Sequence, residues 1–132
     1  MAFKTITQVE FIPASPSEVY EAFTNPKKQS EFTGSKATGG DKVGKFTSWG
    51  GYIFGKVVEL VKDKKVVLEW KTTEWPENTP ISKVELTFTS KGTGTELKMV
   101  HSQVPSEQSA SYEQGWTDYY WKPLKDYFQK KK

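Results

Sequence analysis

Apolar and polar residues alternate along most of this chain, which is the period-two pattern of strands that bury one face. The first such segment covers residues 3–12 and ends at Pro13. Turns rich in glycine or lysine separate the later segments, so these are expected to pair as an antiparallel meander. Six or seven strands are predicted in all, the later ones over residues 45–49, 52–61, 66–75, 83–90 and 95–104.

Two short helices are predicted directly after the first strand. Ser15 can accept hydrogen bonds from the free amides of a helix, Pro16 suits the first helical position, and Glu18 completes a capping box. This helix is expected to end before Asn25, and a second short helix is predicted over residues 27–32.

The predicted strands give the sheet one polar and one apolar face. The polar face carries Lys71, Lys83, Glu85, Thr87 and Lys98 and is expected to contact solvent. The apolar face needs a cover from another element. Its residues are Val66, Leu68, Trp70, Val84, Leu86, Phe88, Leu97, Met99 and His101.

Residues 109–129 supply that cover as a long amphipathic helix. Gly115 lowers its helix propensity and Pro123 removes one backbone hydrogen bond, so the helix is predicted to bend. The elements together predict an α+β fold in which this helix packs across a curved antiparallel sheet. The stripe that faces the sheet comprises Tyr112, Trp116, Tyr119, Tyr120, Pro123, Leu124 and Tyr127.

Composition narrows the class of protein. The 132 residues fit a single domain, residues 1–132, with no cysteine and one histidine, which excludes thiolate sites and histidine clusters for metals. No apolar segment approaches the length of a membrane span, and residues 1–4 do not open a signal peptide. A cytoplasmic location is therefore expected.

Aromatic content gives the main candidate site, because five Trp, six Tyr and eight Phe are many for a chain of this size. One interpretation is an apolar pocket between sheet and helix, with bulk removed at Gly55 and Gly115. The other interpretation is that these side chains fill the space as hydrophobic core, without a pocket. The predicted ligand-cavity residues are Trp70, Phe88, Met99, His101, Trp116, Tyr119, Tyr120 and Leu124.

Catalytic chemistry has little support in the sequence. His101 could act as a general base or a ligand donor, with Glu59 pointing inward beside it, or it could be an internal structural histidine. No nucleophile is paired with a base, and no glycine loop is built to hold phosphate. We therefore predict a protein that is not an enzyme and that has no cofactor and no metal site.

Two tryptophans, Trp75 and Trp121, do not fit the inward stripes. They are predicted to form a protein-interaction surface, the alternative being that loops fold over them.

The net charge is +3, and much of the excess lies in residues 130–132, which are expected to form a solvated tail. Because the other charges are evenly spread, no nucleic-acid partner is expected.

The chain also resembles the family named for the activator of the heat-shock protein 90 ATPase, within the START-like (birch pollen allergen-like) superfamily. The order of one strand, two short helices, a long meander and one long terminal helix is that of the superfamily's helix-grip fold. The similar stretches run almost from end to end: SPSEVY at 15–20, EFTG at 31–34, GKF at 44–46, WPE at 75–77, ELTF at 85–88, TEL at 95–97 and GWTDYY at 115–120.

The resemblance implies two functions. In the wider superfamily the space between sheet and helix often holds a lipid, a sterol or another apolar molecule, so a small hydrophobic ligand is the first expectation. In the eukaryotic co-chaperone of this family, the similar domain is the C-terminal half, while a separate N-terminal domain makes the principal contact with the chaperone. A chaperone or another protein partner is therefore the second expectation.

Overall fold

A computed structural model of the chain describes residues 2–75 and 78–130, without the side chain of residue 130. The start of the predicted polar loop at residues 76–80 and the last two lysines of the predicted tail lie outside the described residues. Within the described ranges, no helix has the length and apolarity needed to cross a membrane.

Six strands form one antiparallel sheet, in the spatial order β1-β6-β5-β4-β3-β2. The hairpins from β2 to β6 follow the chain, and β1 pairs with β6, so the predicted antiparallel meander is confirmed. The strands are β1 Phe3–Ile12, β2 Gly44–Ser48, β3 Ile53–Val61, β4 Lys65–Thr72, β5 Ser82–Lys91 and β6 Gly94–Pro105.

The two predicted short helices follow β1 as α1, Pro16–Thr24, and α2, Pro26–Thr33. The capping box forms as predicted: the Glu18 amide donates to Ser15 Oγ and the Ser15 amide donates to Glu18 Oε1, both over 3.2 Å. The side chain of Asn25 then accepts from the first amides of α2, which ends one helix and begins the next.

The C-terminal helix is continuous but changes its winding. It runs as α3, Ser109–Trp116, a π-helical turn, Thr117–Trp121, and α4, Lys122–Lys130. The Lys122 amide donates to the carbonyl five residues earlier, and Pro123 follows without an amide hydrogen. Just before Pro123 the helix thus forms a π turn, which widens it where the proline ring would meet the carbonyl four residues back.

The core lies between the inner face of the sheet and the helices. The predicted apolar face is buried at all of its positions except the half-buried Leu68. Glu59 corrects one detail, because a β-bulge between Val57 and Glu59 interrupts the alternation of β3. The carboxylate of Glu59 is exposed and pairs with Lys65 at 3.2 Å, so the prediction that it points inward beside His101 is wrong.

Candidate functional site: an aromatic cleft

A cleft of about 470 Å³ lies between the first half of the C-terminal helix and the turn that joins β2 to β3. Its volume is in the range of small-molecule sites. Seven of its twelve lining residues are aromatic, and we call it the aromatic cleft. It is lined by Trp49, Tyr52, Ile53, Trp70, Glu74, Gln108, Ser111, Tyr112, Gly115, Trp116, Tyr119 and Tyr120.

Two irregular backbone segments contribute to the lining of the aromatic cleft. Trp49 has φ +55°, a left-handed conformation that is rare for a bulky residue, and Gly50 and Gly51 follow with φ +66° and +99°. The other segment includes Tyr119 and Tyr120, both of which belong to the π turn. Strained residues and π turns are frequent at functional sites, so both features mark the cleft as a candidate site.

Hydrogen bonds hold the rings of the cleft in place. Trp49 Nε1–H donates to the Tyr120 hydroxyl over 3.0 Å, and Trp75 Nε1–H donates to the Tyr112 hydroxyl over 2.8 Å. Thr72 Oγ1 lies 3.2 Å from the same Tyr112 oxygen. Burial raises the pKa of Tyr120 to about 12, so this phenol stays neutral at physiological pH. Hydrogen bonds therefore fix these rings, and the Tyr120 phenol carries no charge.

The lining of the cleft also includes three polar residues, Tyr52, Glu74 and Gln108. Burial raises the pKa of Tyr52, and a hydrogen bond from its hydroxyl to Glu74 raises it further. Gln108 Oε1 is buried and has no hydrogen-bond partner among the described residues. A buried acceptor without a partner costs free energy, and a ligand donor placed beside it would remove that cost.

Four of the eight predicted ligand-cavity residues, Trp70, Trp116, Tyr119 and Tyr120, line the aromatic cleft. Tyr119 lies at its mouth, where its side chain is 60% exposed, although the helical stripe placed it inward. The π turn accounts for the difference, because the extra residue in that turn rotates the side chains around the helix axis.

Phe88, Met99 and Leu124, also predicted as cavity residues, do not line this cleft and are buried in the core. Phe88 packs against the rings of Tyr20 and Phe23, with centroids 5.9 and 6.3 Å apart. Helix α1 carries both of those rings and fills this end of the space between sheet and C-terminal helix. Among the described residues, the sheet–helix space is thus filled by core side chains at this end, away from the aromatic cleft.

His101 is also core rather than cleft. Trp116 Nε1–H donates to His101 Nδ1 over 3.2 Å, and His101 Nε2 lies 2.8 Å from Ser82 Oγ, which donates to the Trp70 carbonyl. Because Nδ1 accepts, the imidazole proton is on Nε2. Burial lowers the pKa of His101 to about 3. His101 is a neutral structural histidine, and the general-base interpretation has no support.

Trp75 and Trp121, the tryptophans of the predicted interaction surface, are only 5% and 1% exposed, which agrees with the alternative that the fold covers them. The Trp75 ring packs edge-on against Trp70 at 5.8 Å, above its hydrogen bond to the helix. Trp121 is turned toward the sheet, where its Nε1–H donates to Gln8 Oε1 over 2.6 Å. Buried side chains of this kind cannot contact a partner in the folded protein.

Trp49, Tyr52, Glu74 and Gln108 were not predicted as site residues. Two of them flank the Gly50-Gly51 turn, and an aromatic pair on either side of a tight turn is the one sequence signal that could have indicated them. Glu74 and Gln108 lie in connections outside the regular strands and helices, where periodicity carries no information about direction.

Comparisons with known proteins agree with this fold. The family model described as activator of Hsp90 ATPase homolog 1-like protein matches residues 13–129. The human activator of 90 kDa heat shock protein ATPase homolog 1 is 35% identical over 124 residues, which are 93% of this chain but 36% of the human protein. This chain therefore spans about a third of the length of that relative.

Solved structures give the same result. The crystal structure of an HSP90 activator from Plasmodium falciparum matches with a TM-score of 0.87 and 27% identity, covering 95% of this chain and 96% of that one. A protein from Mesorhizobium loti matches with a TM-score of 0.82 and 24% identity, covering 98% and 99% of the two chains, which is a likeness of fold.

Proposed function

This chain belongs to the activator of Hsp90 ATPase homolog 1-like family, and we propose that it is a non-enzymatic domain whose aromatic cleft binds a small, largely apolar molecule. The observation that carries the proposal is the cleft of about 470 Å³, in which rings from both sheet and helix meet. Pockets of this kind combine a mostly apolar lining with a few placed polar groups.

Two features of the cleft lower the stability of the fold, which supports the view that the cleft has a function. Trp49 adopts a strained conformation, and Gln108 Oε1 is left without a partner, although both features destabilise the fold. A side chain larger than hydrogen at Gly115 would project from the helix in ordinary contact with Tyr119 Cδ2, at 3.7 Å. Because Gly115 has no side chain, the helix does not project into the cleft at this position. An alanine methyl group would also fit there.

Indole signals of the folded protein test the proposal. Two-dimensional NMR should show shifts of the Trp49, Trp70 and Trp116 Nε1–H resonances when apolar compounds of suitable size are added. The Trp121 resonance is an internal control, because that indole is buried and hydrogen-bonded to Gln8 outside the cleft. Native mass spectrometry of protein purified from cells should reveal a co-purifying molecule.

A matched pair of variants separates the cleft from the rest of the helix. Gly115→Leu should fill the cleft and abolish the shifts, while Ala110→Leu adds the same side chain at an exposed position of α3 and should preserve them. If the two variants bind equally well, or if no compound moves the three cleft indoles, the cleft is not a ligand site.

A second candidate function is interaction with a heat-shock protein 90 chaperone. The relatives favour it: the human protein is named for activation of that chaperone's ATPase, and the Plasmodium falciparum protein, described as an HSP90 activator, matches almost end to end. The buried Trp75 and Trp121 cannot supply the contact. Exposed lysines on the outer face of the sheet, among them Lys83 and Lys98 on adjacent strands, remain available to an acidic partner surface.

Retention of purified chaperone on the immobilised domain tests this function, with the chaperone's ATPase rate as a second readout. Lys83→Glu combined with Lys98→Glu should weaken retention, and more so at low salt. Lys27→Glu combined with Lys62→Glu makes the same charge change on α2 and on the β3–β4 turn and should leave retention unchanged. Absence of retention at low salt, or equal effects of both pairs, would contradict this assignment.

A further inference from the structure

The aromatic cleft carries charge of one sign. Among the described lining residues, Glu74 alone has a formal charge, and the Tyr52 hydroxyl donates a hydrogen bond to its carboxylate. Gln108 also belongs to the lining, although its Oε1 is buried. The described lining contains no lysine. The charged group that it offers to a bound molecule is therefore the Glu74 carboxylate.

The rings reinforce that preference. The face of an aromatic ring carries the negative part of its quadrupole and attracts a cation that lies within about 6 Å of the ring centre. Trp49 contacts both Tyr119 and Tyr120, with centroids 5.7 and 6.0 Å apart, so several rings meet at the mouth. An anionic molecule would be repelled by Glu74 and would gain nothing from a ring face that it contacts.

We propose that the molecule bound in the aromatic cleft is an organic cation, an ammonium group that carries alkyl or aryl substituents. This inference rests on the proposed ligand-binding function and adds the charge of the ligand to it. The substituents of such a molecule bury apolar surface against the rings, while its charge is balanced by Glu74 and the ring faces. A fatty acid would also bury apolar surface, but its carboxylate would be repelled by Glu74.

Three probes of the same shape and different charge test the inference: choline, 3,3-dimethylbutan-1-ol and 3,3-dimethylbutanoate. Each is titrated into the folded protein, and the shifts of the Trp49 and Trp116 indole resonances are followed. Choline should bind about tenfold more tightly than the neutral alcohol, the factor expected for a partly desolvated cation–π site beside a carboxylate. The carboxylate probe should bind most weakly.

Two variants locate the origin of the preference. Glu74→Gln keeps an acceptor for Tyr52 but removes the charge, so it should reduce the advantage of choline and leave the affinity for the alcohol unchanged. Tyr119→Leu removes an exposed ring at the mouth and should have the same selective effect. Glu113→Gln makes the same charge change at an exposed position of α3 outside the lining and should change neither affinity.

The outcomes separate the two proposals. If choline and the alcohol bind equally, or if the carboxylate probe binds best, the cation inference is overturned while ligand binding in the cleft stands. If none of the three probes moves the cleft indoles, both are overturned. A preference for choline that Glu74→Gln removes and Glu113→Gln preserves supports the inference.

Discussion

Lowering the pH from 7 to 5 tests the buried hydrogen-bond chain Trp116–His101–Ser82. His101 is fully buried, and its Nδ1 can accept from Trp116 only while it carries no proton. Burial lowers the pKa of His101 to about 3 in the folded protein, whereas an unfolded histidine has a pKa of about 6.5. Between these two values the unfolded chain binds a proton that the folded chain does not.

The size of the effect follows from proton linkage. Because the unfolded state binds more protons, the free energy of unfolding decreases as the pH falls. The contribution of His101 is nearly complete above pH 6.5 and is lost progressively toward pH 3. From pH 7 to pH 5 the loss is about 2 kcal/mol, a substantial part of the 5–15 kcal/mol typical of a domain. The figure depends mainly on the unfolded-state pKa, since a folded-state pKa near 3 leaves the native imidazole neutral at pH 5.

Urea unfolding followed by tryptophan fluorescence measures this loss. The midpoint should fall by roughly 1 M urea between pH 7 and pH 5, given slopes of about 1–3 kcal/mol per molar urea. The sequence has a single histidine, so no second imidazole contributes in this pH range. His101→Gln is the control, because glutamine can donate and accept at this place but does not titrate.

The His101→Gln variant should be less stable than the parent at pH 7 and should show almost no change between pH 7 and pH 5. A pH dependence carried by His101 is ruled out if the parent protein keeps the same midpoint over this range. It is also refuted if both proteins lose stability in parallel, since another group would then carry the pH dependence.

Three further substitutions test the packing. Gly55→Ala should lower the free energy of unfolding by about 3 kcal/mol, because its new Cβ would lie 1.8 Å from the Glu69 carbonyl oxygen on the paired strand. Gly115→Ala has ordinary contacts and should raise it by up to about 1 kcal/mol through helix propensity. Trp121→Phe should cost about 2 kcal/mol, because it removes the donor to Gln8 and leaves a gap. Urea unfolding measures all three; equal stability of the two glycine variants, or an unchanged Trp121→Phe protein, would contradict these expectations.

Much of the fold could be predicted from the sequence because its signals are local. Alternation of apolar residues gave the strands of the meander, and the Ser15–Glu18 capping box located α1. Pro123 indicated a distorted terminal helix, since a missing amide hydrogen affects the turn in which it lies. Such features depend on residues a few positions apart and need no knowledge of the packing.

The candidate site was predicted only in part, because a cavity is a property of packing. Trp70 and Phe88 have the same pattern of neighbours along the chain, yet Trp70 lines the cleft and Phe88 packs under helix α1. Trp75 and Trp121 do not fit the periodic stripes, and the sequence leaves open whether they are exposed or covered. They are buried because the Trp75 ring packs against Tyr112 of the helix, while the π turn directs Trp121 toward the sheet.

The order of apolar and polar residues is enough to place the strands and helices and to show which face of each must be buried. Only the packing of these elements against one another fixes where a gap remains between them. Helix α1 fills one end of the space between sheet and C-terminal helix, while the left-handed turn at Trp49 and the π turn line the cleft at the other end. Whether an aromatic side chain packs in the core or lines the cleft depends on contacts between segments far apart in the chain. The periodicity of residues within one segment contains no information about those contacts.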